Sequence, residues 1–349
     1  MARRVTWAVP GDIQTVTGGY AYDRRIIAEL QRLGWEVEIV SLGNGFPRPS
    51  ARQKAYAEAR LLATLPKDPI VIDGLAFGTL PEAAVRLHHT HPVVALIHHP
   101  LALETGLTER ESEAFLVGES AALSSTRSVV VTSRWTANVL TGRFGIAADD
   151  VTVILPGTDP APFAAGGNKP LVLLSVGAIT PRKSFDLLVE ALAPLAGRSW
   201  RLVIAGDRER DSAATERLDA LIGQHKLAGR IDVPGKVSPE KLEALYAAAD
   251  LFVLPSRFEG YGMAFAEALA HGLPVVGTTG GATPSTVPAS AGQLVAPGDV
   301  AAFTEALREL IDDTERRHAL AAGARAAAAR LPSWAASGAA FSDLLTRLT

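Results

Sequence analysis

At 349 residues the chain is longer than one ordinary hydrophobic core accommodates and suits two domains. Hydrophobic residues at 48% and charged residues at 20% belong to a folded globular chain, and a net charge of -3 gives no overall pull toward nucleic acid or anionic lipid. Without cysteine there are no disulfides, thiolate nucleophiles or cysteine metal sites. Residues 1–160 alone hold 15 Lys+Arg against 17 Asp+Glu, so that half is not basic either. The apolar run ahead of Pro10 is too short for a signal-peptide core, and no stretch reaches membrane-spanning length. The expectation is a cytoplasmic enzyme or binding protein, with peripheral contact at the inner face of a membrane left open.

In chain order, β-rich runs fall at Val5–Val9, Glu36–Leu42, Ile70–Ile72, Val93–Ile97, Ser128–Thr132 and Val151–Leu155. Between them lie helical patterns at Tyr20–Leu33, Ser50–Thr64, Glu109–Ser124 and Arg134–Phe144. Strands separated by helices predict βαβ units and a mainly parallel sheet. The Pro-, Gly- and Ala-rich stretch 156–170 has no periodicity and reads as an interdomain linker. The alternation then resumes at Leu171–Val176, Arg201–Ala205, Ile231–Val233, Leu251–Leu254 and Pro274–Gly277. Ser333 caps a last helical run. The predicted fold is α/β, with one doubly wound Rossmann-like domain over 1–160 and a second over 168–332. Facing each other, two such domains would enclose a cleft lined by the carboxyl ends of their strands.

The loops after the strands carry the candidate chemistry. Gly18 and Gly19 precede the first helix, where backbone N–H groups suit a phosphate, although no GxGxxG fingerprint is present. His98 and His99 follow the fourth strand, placed to donate a hydrogen bond or to titrate near neutrality. His88, His89 and His91 read as a solvated loop, and no carboxylate stands at metal-ligand spacing among the five. In the second half Arg182 and Lys183 stand just before a helix, where two cations can pair with a diphosphate. Gly206 and Asp207 end the next strand, Gly235 and Lys236 the one after, and Pro239 starts a helix. Then comes "RFEGYGMAFAEALAHG". Glu259 precedes a helix and Glu267 lies about two turns inside it, with the backbone N–H groups of Tyr261, Gly262 and Met263 free for an anion. Carboxylates flanking such an anion site can accept hydrogen bonds from the vicinal hydroxyls of a sugar or ribose.

These residues resemble the retaining family 4 glycosyltransferases of the two-domain GT-B fold. "EGYGMAFAE" is similar to that family's E-x7-E motif, "VGAITPRKSFDLLVEAL" to its phosphate-binding segment, and "SRWTANVL" with "VTVILPGTDPAPF" to the close of its first domain. The resemblance implies an acceptor side in 1–160, with helix 333–349 packing back on it, and a nucleotide-sugar side in 168–332. By the same resemblance Glu259 binds donor-sugar hydroxyls and Glu267 the ribose, while Tyr261, Gly262 and Met263 hold sugar and phosphate through their amides. Lys183 neutralises the diphosphate and His98 sits beside the reacting sugar. Gly19 approaches the phosphates or acceptor, and Lys236 and Val237 contact the base. Tyr20, Glu104 and Thr105 are acceptor-side candidates by position only.

Two positions depart from the family pattern. Ala178 stands where the family has an arginine, although Arg182 beside Lys183 could reach the same phosphate from another direction, and Ser285 stands in the loop after "GG" where an acidic residue is usual. The chain contains no Asp-x-Asp pair, so no metal and no cofactor is expected. The implied reaction is retaining transfer of a hexose from a UDP- or GDP-linked sugar to an unidentified acceptor: a glycolipid, a polysaccharide or a small molecule. A GT-B nucleotide-sugar epimerase and a non-catalytic nucleotide-sugar-binding protein are the alternatives.

Overall fold

The β-branched runs of the first half pair into one parallel sheet: β1 (Arg3–Val9), β2 (Trp35–Ser41), β3 (Ile70–Asp73), β4 (Val93–Ile97), β5 (Ser128–Val131) and β6 (Val151–Val153), in the order β2-β1-β3-β4-β5-β6. The three central strands β3, β4 and β5 are buried along their whole length, which is why they read as unbroken apolar runs rather than alternating ones. The chain leaves β1 toward β2 and returns to β3 on the other side of β1. The space beyond the carboxyl ends of β1 and β3 is therefore a topological switch point, where open α/β sheets bind ligands.

The second sheet contains β7 (Leu171–Val176), β8 (Trp200–Ala205), β9 (Ile231–Gly235), β10 (Leu251–Val253), β11 (Val275–Thr278) and β12 (Gly292–Val295), in the order β12-β11-β10-β7-β8-β9. All its pairings are parallel. Here the switch point falls between β7 and β10.

The computed structural model describes residues 3–349. They form two compact units: the first runs to Gly157 and resumes at Pro332–Thr349, and the second is Thr158–Leu331. The helix Trp334–Leu348 is bound into the first unit. Phe341 packs on Trp7 with ring centroids 5.1 Å apart, Trp35 Nε1 donates to Ser342 Oγ at 2.9 Å, and Ser337 Oγ donates to the Leu155 carbonyl at 2.7 Å. No helix among the described residues is long and apolar enough to cross a membrane.

The expected linker is mostly not free chain. From Thr158 onward it belongs to the second unit, where the Ala164 N–H bonds the His271 carbonyl at 2.8 Å and the Asn168 amide donates to Asp250 Oδ2 at 2.9 Å. Its turn-rich composition reflects irregular backbone tied to the unit's surface. The helix Pro81–His88 and strand β12 were not among the expected elements, and both are short. His91 is buried, not solvated, because Thr64 and Thr90 hydroxyls take its two ring nitrogens at 3.1 and 2.8 Å.

Candidate active site

In the second unit, Lys183 follows β7 and Glu259 follows β10, so the switch point brings together two residues far apart in sequence. Lys183 Nζ lies 2.7 Å from Glu259 Oε1, and Arg182 Nη1 lies 3.2 Å from Glu259 Oε2. Ser256 Oγ also donates to Oε1, at 2.5 Å. The two loops are stitched along their backbones as well. Arg257 N–H donates to the Arg182 carbonyl at 2.8 Å, Arg182 Nη1 to the Phe258 carbonyl at 2.7 Å, and Arg257 Nε to Ser184 Oγ at 3.2 Å. Gly177 (φ 155°) lets the Lys183 stem cross the end of β7, because a Cβ there would stand 2.9 Å from Lys183 Cε.

The electrostatics of this cluster are asymmetric. Burial pushes the Glu259 carboxyl up, but Lys183, then Arg182 and Ser256, outweigh it and hold the group at about 2. At Lys183 burial wins, lowering its pKa despite the pull of Glu259. With Arg182 the group carries one negative and two positive charges, a net +1 suited to an anion. Arg182 is the second cation of this cluster and is tied to the Glu259 loop.

After Glu259 the chain reaches Gly262, which takes φ 89° at the N-cap of the helix Met263–Ala270 and offers no side-chain cap. Glu267 is the fifth residue of this helix and lies about one turn in, not the two turns expected. Tyr261 is buried and its hydroxyl is pushed up to about 12 by that burial. Thr286 Oγ1 donates to the Tyr261 carbonyl at 2.7 Å and ties the "GG" loop to this segment, whereas Ser285 is exposed.

Glu267 is held from a neighbouring helix. Tyr246 Oη donates to its Oε2 at 2.8 Å, and the Tyr246 ring stacks on His271 at 4.8 Å, with His271 Nε2 3.0 Å from Glu243. Burial pushes the Glu267 carboxyl up, partly offset by the Tyr246 bond. Tyr246→Phe is expected to cost about 1 kcal/mol of stability and to raise the Glu267 pKa further, since the buried carboxylate loses a donor. Chemical denaturation at pH 7 and at pH 5 checks this: the loss should be smaller at the lower pH, because protonation of Glu267 lessens its dependence on the donor.

Gly206, Lys236 and Val237 lie together at the ends of β8 and β9. The Gly206 N–H bonds the Gly235 carbonyl at 3.0 Å, and Lys236 is an exposed side chain 3.2 Å from Asp207 Oδ2. A Cβ on Gly206 would fall 1.8 Å from the Gly177 carbonyl oxygen, so this glycine serves close packing of two strand ends.

In the first unit, His98 follows β4, and its ring lies 3.0 Å from where a Cβ on Gly19 would be. Its Nε2 is 3.1 Å from Asp23 Oδ1, and Asp73 ends β3 beside them. Burial pushes the His98 imidazole down, but Asp23 and then Asp73 outweigh it and raise its pKa. The loop after His98 is fixed by buried Glu119, which accepts the N–H groups of Leu101 and Ala102 at 2.8 and 3.0 Å. Asp23 Oδ1 is spent on His98, and Asp73 Oδ1 accepts the Leu75 N–H at 2.7 Å, so the residues pair with one another and with backbone. Tyr20 is buried with its hydroxyl on the Pro10 carbonyl, which removes it from the acceptor-side candidates. Glu104 and Thr105 bond each other at the surface, the Thr105 N–H donating to Glu104 Oε1 at 3.0 Å.

Sequence reasoning named Lys183, Arg182, Glu259, Glu267 and His98, but missed Ser256, Tyr246, Thr286, Asp23 and Asp73. Of these, Asp73 alone carried a local signal, an acid at the end of an apolar strand.

Residues 162–327 match the family model described as glycosyl transferases group 1, and residues 18–162 match glycosyltransferase family 4. A D-inositol 3-phosphate glycosyltransferase of Xylanimonas cellulosilytica is 32% identical over 284 residues, covering 76% of this chain and 67% of that protein. Among solved structures, sucrose-phosphate synthase from Thermosynechococcus elongatus superposes with TM-score 0.82 at 21% identity, over 98% of each chain. Anabaena HepE in complex with UDP-glucose gives TM-score 0.79 at 18% identity, over 99% of each. At these identities the structural likeness speaks for the fold, the GT-B pair of doubly wound units. Taken with the two family models and the curated relative, it places the chain among the family 4 glycosyltransferases.

Proposed function

We propose that the protein transfers a hexose, with retention of configuration, from a UDP- or GDP-linked sugar to a hydroxyl-bearing acceptor, without a metal. The observation that carries this reading is the Lys183–Glu259–Arg182 cluster beside an uncapped helix start. Cleavage of the anomeric bond builds negative charge on the leaving diphosphate. A net +1 cluster and the helix N-terminus oppose that charge in a sheltered place, which is electrostatic stabilisation already organised before reaction. Lys183 and Arg182 supply the cations, Glu259 orients them and accepts from sugar hydroxyls, and Glu267 accepts from the ribose. The amides of Tyr261, Gly262 and Met263 face the sugar and phosphates, while Lys236 and Val237 lie toward the base. His98 contacts a sugar hydroxyl.

Glu259 is a poor nucleophile in this arrangement. Its carboxylate is held at about 2 by two cations and a hydroxyl. Retention is therefore assigned to attack by the acceptor on the face the diphosphate leaves, with no covalent glycosyl-enzyme.

The test is a thermal-shift panel of UDP, GDP, ADP and their sugars, followed by transfer assays with any donor that binds. Stabilisation by UDP or GDP is the expected result, and no shift with any of them would sink the reading. Within the panel, Glu267→Gln is expected to weaken free nucleotide about tenfold, because a charge-assisted bond to ribose is lost.

A further inference from the structure

Asp23 and Asp73 have no part in the donor chemistry above, yet both are buried at the first unit's switch point. Asp23 lies on the helix Gly18–Arg32, 0% exposed, and its Oδ2 is buried with no hydrogen-bond partner. Asp23, Asp73 and His98 each bring one polar atom within 4.8 Å of the others'. The other titratable group on this cluster is Tyr22, whose ring meets His98 edge-on at 5.3 Å and whose hydroxyl donates to the Ile154 carbonyl at 3.2 Å. Of the three, only His98 is open to solvent, with 21% of its side chain exposed, and its Nδ1 makes no hydrogen bond among the described residues.

Two carboxylates this close inside a protein do not both stay charged unless each is neutralised. One imidazolium balances one of them. A proton on Asp73 balances the other and puts one donor into the cluster that holds the orphaned oxygen of Asp23. We propose that Asp23 is a positioning residue that holds His98 as an imidazolium, Nε2–H on Asp23 and Nδ1–H presented to substrate, while Asp73 stays a neutral carboxylic acid. Burial, then the Asp23 charge, raise Asp73 to about 7, in keeping with this state. His98 then gives a hydrogen bond to a sugar oxygen and does not act as a base. The donor is present below the raised His98 pKa and is lost as pH climbs through it.

The role in catalysis rests on the proposed hexosyl transfer; the protonation pattern does not. The experiment is an 15N–1H NMR titration of the histidines in the full chain, with Asp23→Asn and Asp73→Asn beside the wild type. In the wild type His98 should be doubly protonated at neutral pH and keep its proton on Nε2 once neutral. Asp23→Asn should drop the His98 pKa below that of an ordinary histidine. Asp73→Asn, which keeps a side-chain oxygen for the Leu75 N–H, should shift it far less. A neutral His98 at pH 7 in the wild type, or an unshifted pKa in Asp23→Asn, overturns the role of Asp23. Equal drops in both variants overturn the neutral Asp73. The wild-type spectrum decides the protonation state even where a variant does not fold, and none of these readouts needs a substrate. In the transfer assay, Asp23→Asn should lower kcat about 100-fold with donor KM unchanged and move the basic limb of the pH profile to lower pH, with partial rescue by Asp23→Glu.

Discussion

Lys183→Ala is expected to lower kcat/KM for sugar transfer about 1000-fold and to weaken free UDP or GDP as well. The charge that opposes the departing diphosphate disappears, and the cluster falls from net +1 to neutral. Stability should fall too. Glu259 is held at about 2 rather than at the ordinary 4.5 of a glutamate, a difference worth about 3 kcal/mol at neutral pH. Because the folded pKa is the lower one, that contribution is complete above the unfolded value and is lost as pH drops from there through about 2. Arg182 remains 3.2 Å from the carboxylate, so the alanine variant should lose about 2 kcal/mol of it, not all. Denaturation between pH 3 and 7 measures this: wild type and variant should converge toward acid and separate toward neutrality. Parallel curves would mean that the ion pair contributes nothing to folding.

Glu259→Gln is expected to do something different. It removes the negative member of the cluster and raises its net charge from +1 to +2. Transfer should fall at least about 100-fold as the sugar's acceptor group is lost, and stability should drop by about 2–4 kcal/mol because two buried cations lose their counter-charge. Free nucleoside diphosphate should bind as well as before or better. Calorimetry with UDP and GDP separates the two variants: nucleotide affinity falls with Lys183→Ala and holds with Glu259→Gln. A loss in Glu259→Gln equal to that in Glu267→Gln would show that both acids contact the nucleotide and would end the division of labour assigned to them.

Much of the fold was legible because βαβ alternation leaves a strong periodic trace, and central parallel strands such as Val93–Ile97 are uniformly apolar. Strand β12 left little trace, since Gly292–Val295 is four residues long and includes a glycine and a glutamine. The helix containing Glu267 was legible in "MAFAEALAHG", between the glycine-rich loop before it and Gly272 after it, but Glu267 lies one turn inside it and not two. At the site, residues within one loop could be grouped by inspection, as Glu259 with Tyr261 and Gly262. Partners from distant loops could not. Lys183 meets Glu259 across 76 positions, Asp23 meets His98 across 75, and only strand order decides such encounters. Tyr246 is a further case: an aromatic on an amphipathic helix reads as core, and its hydroxyl on Glu267 appears only when two helices are packed.

The split composition of the first unit sets an order on its birth. Residues 158–331 emerge from the ribosome as one continuous block and can close their own sheet as soon as β12 and the helices after it are made. The first unit waits. Trp7, Trp35 and the Leu155 carbonyl meet Phe341, Ser342 and Ser337 only once these have been translated, more than 180 residues after β6. During that interval the first unit lacks the contacts that its last helix makes with Trp7, Trp35 and Leu155, so the half that is encoded first is the half that is completed last.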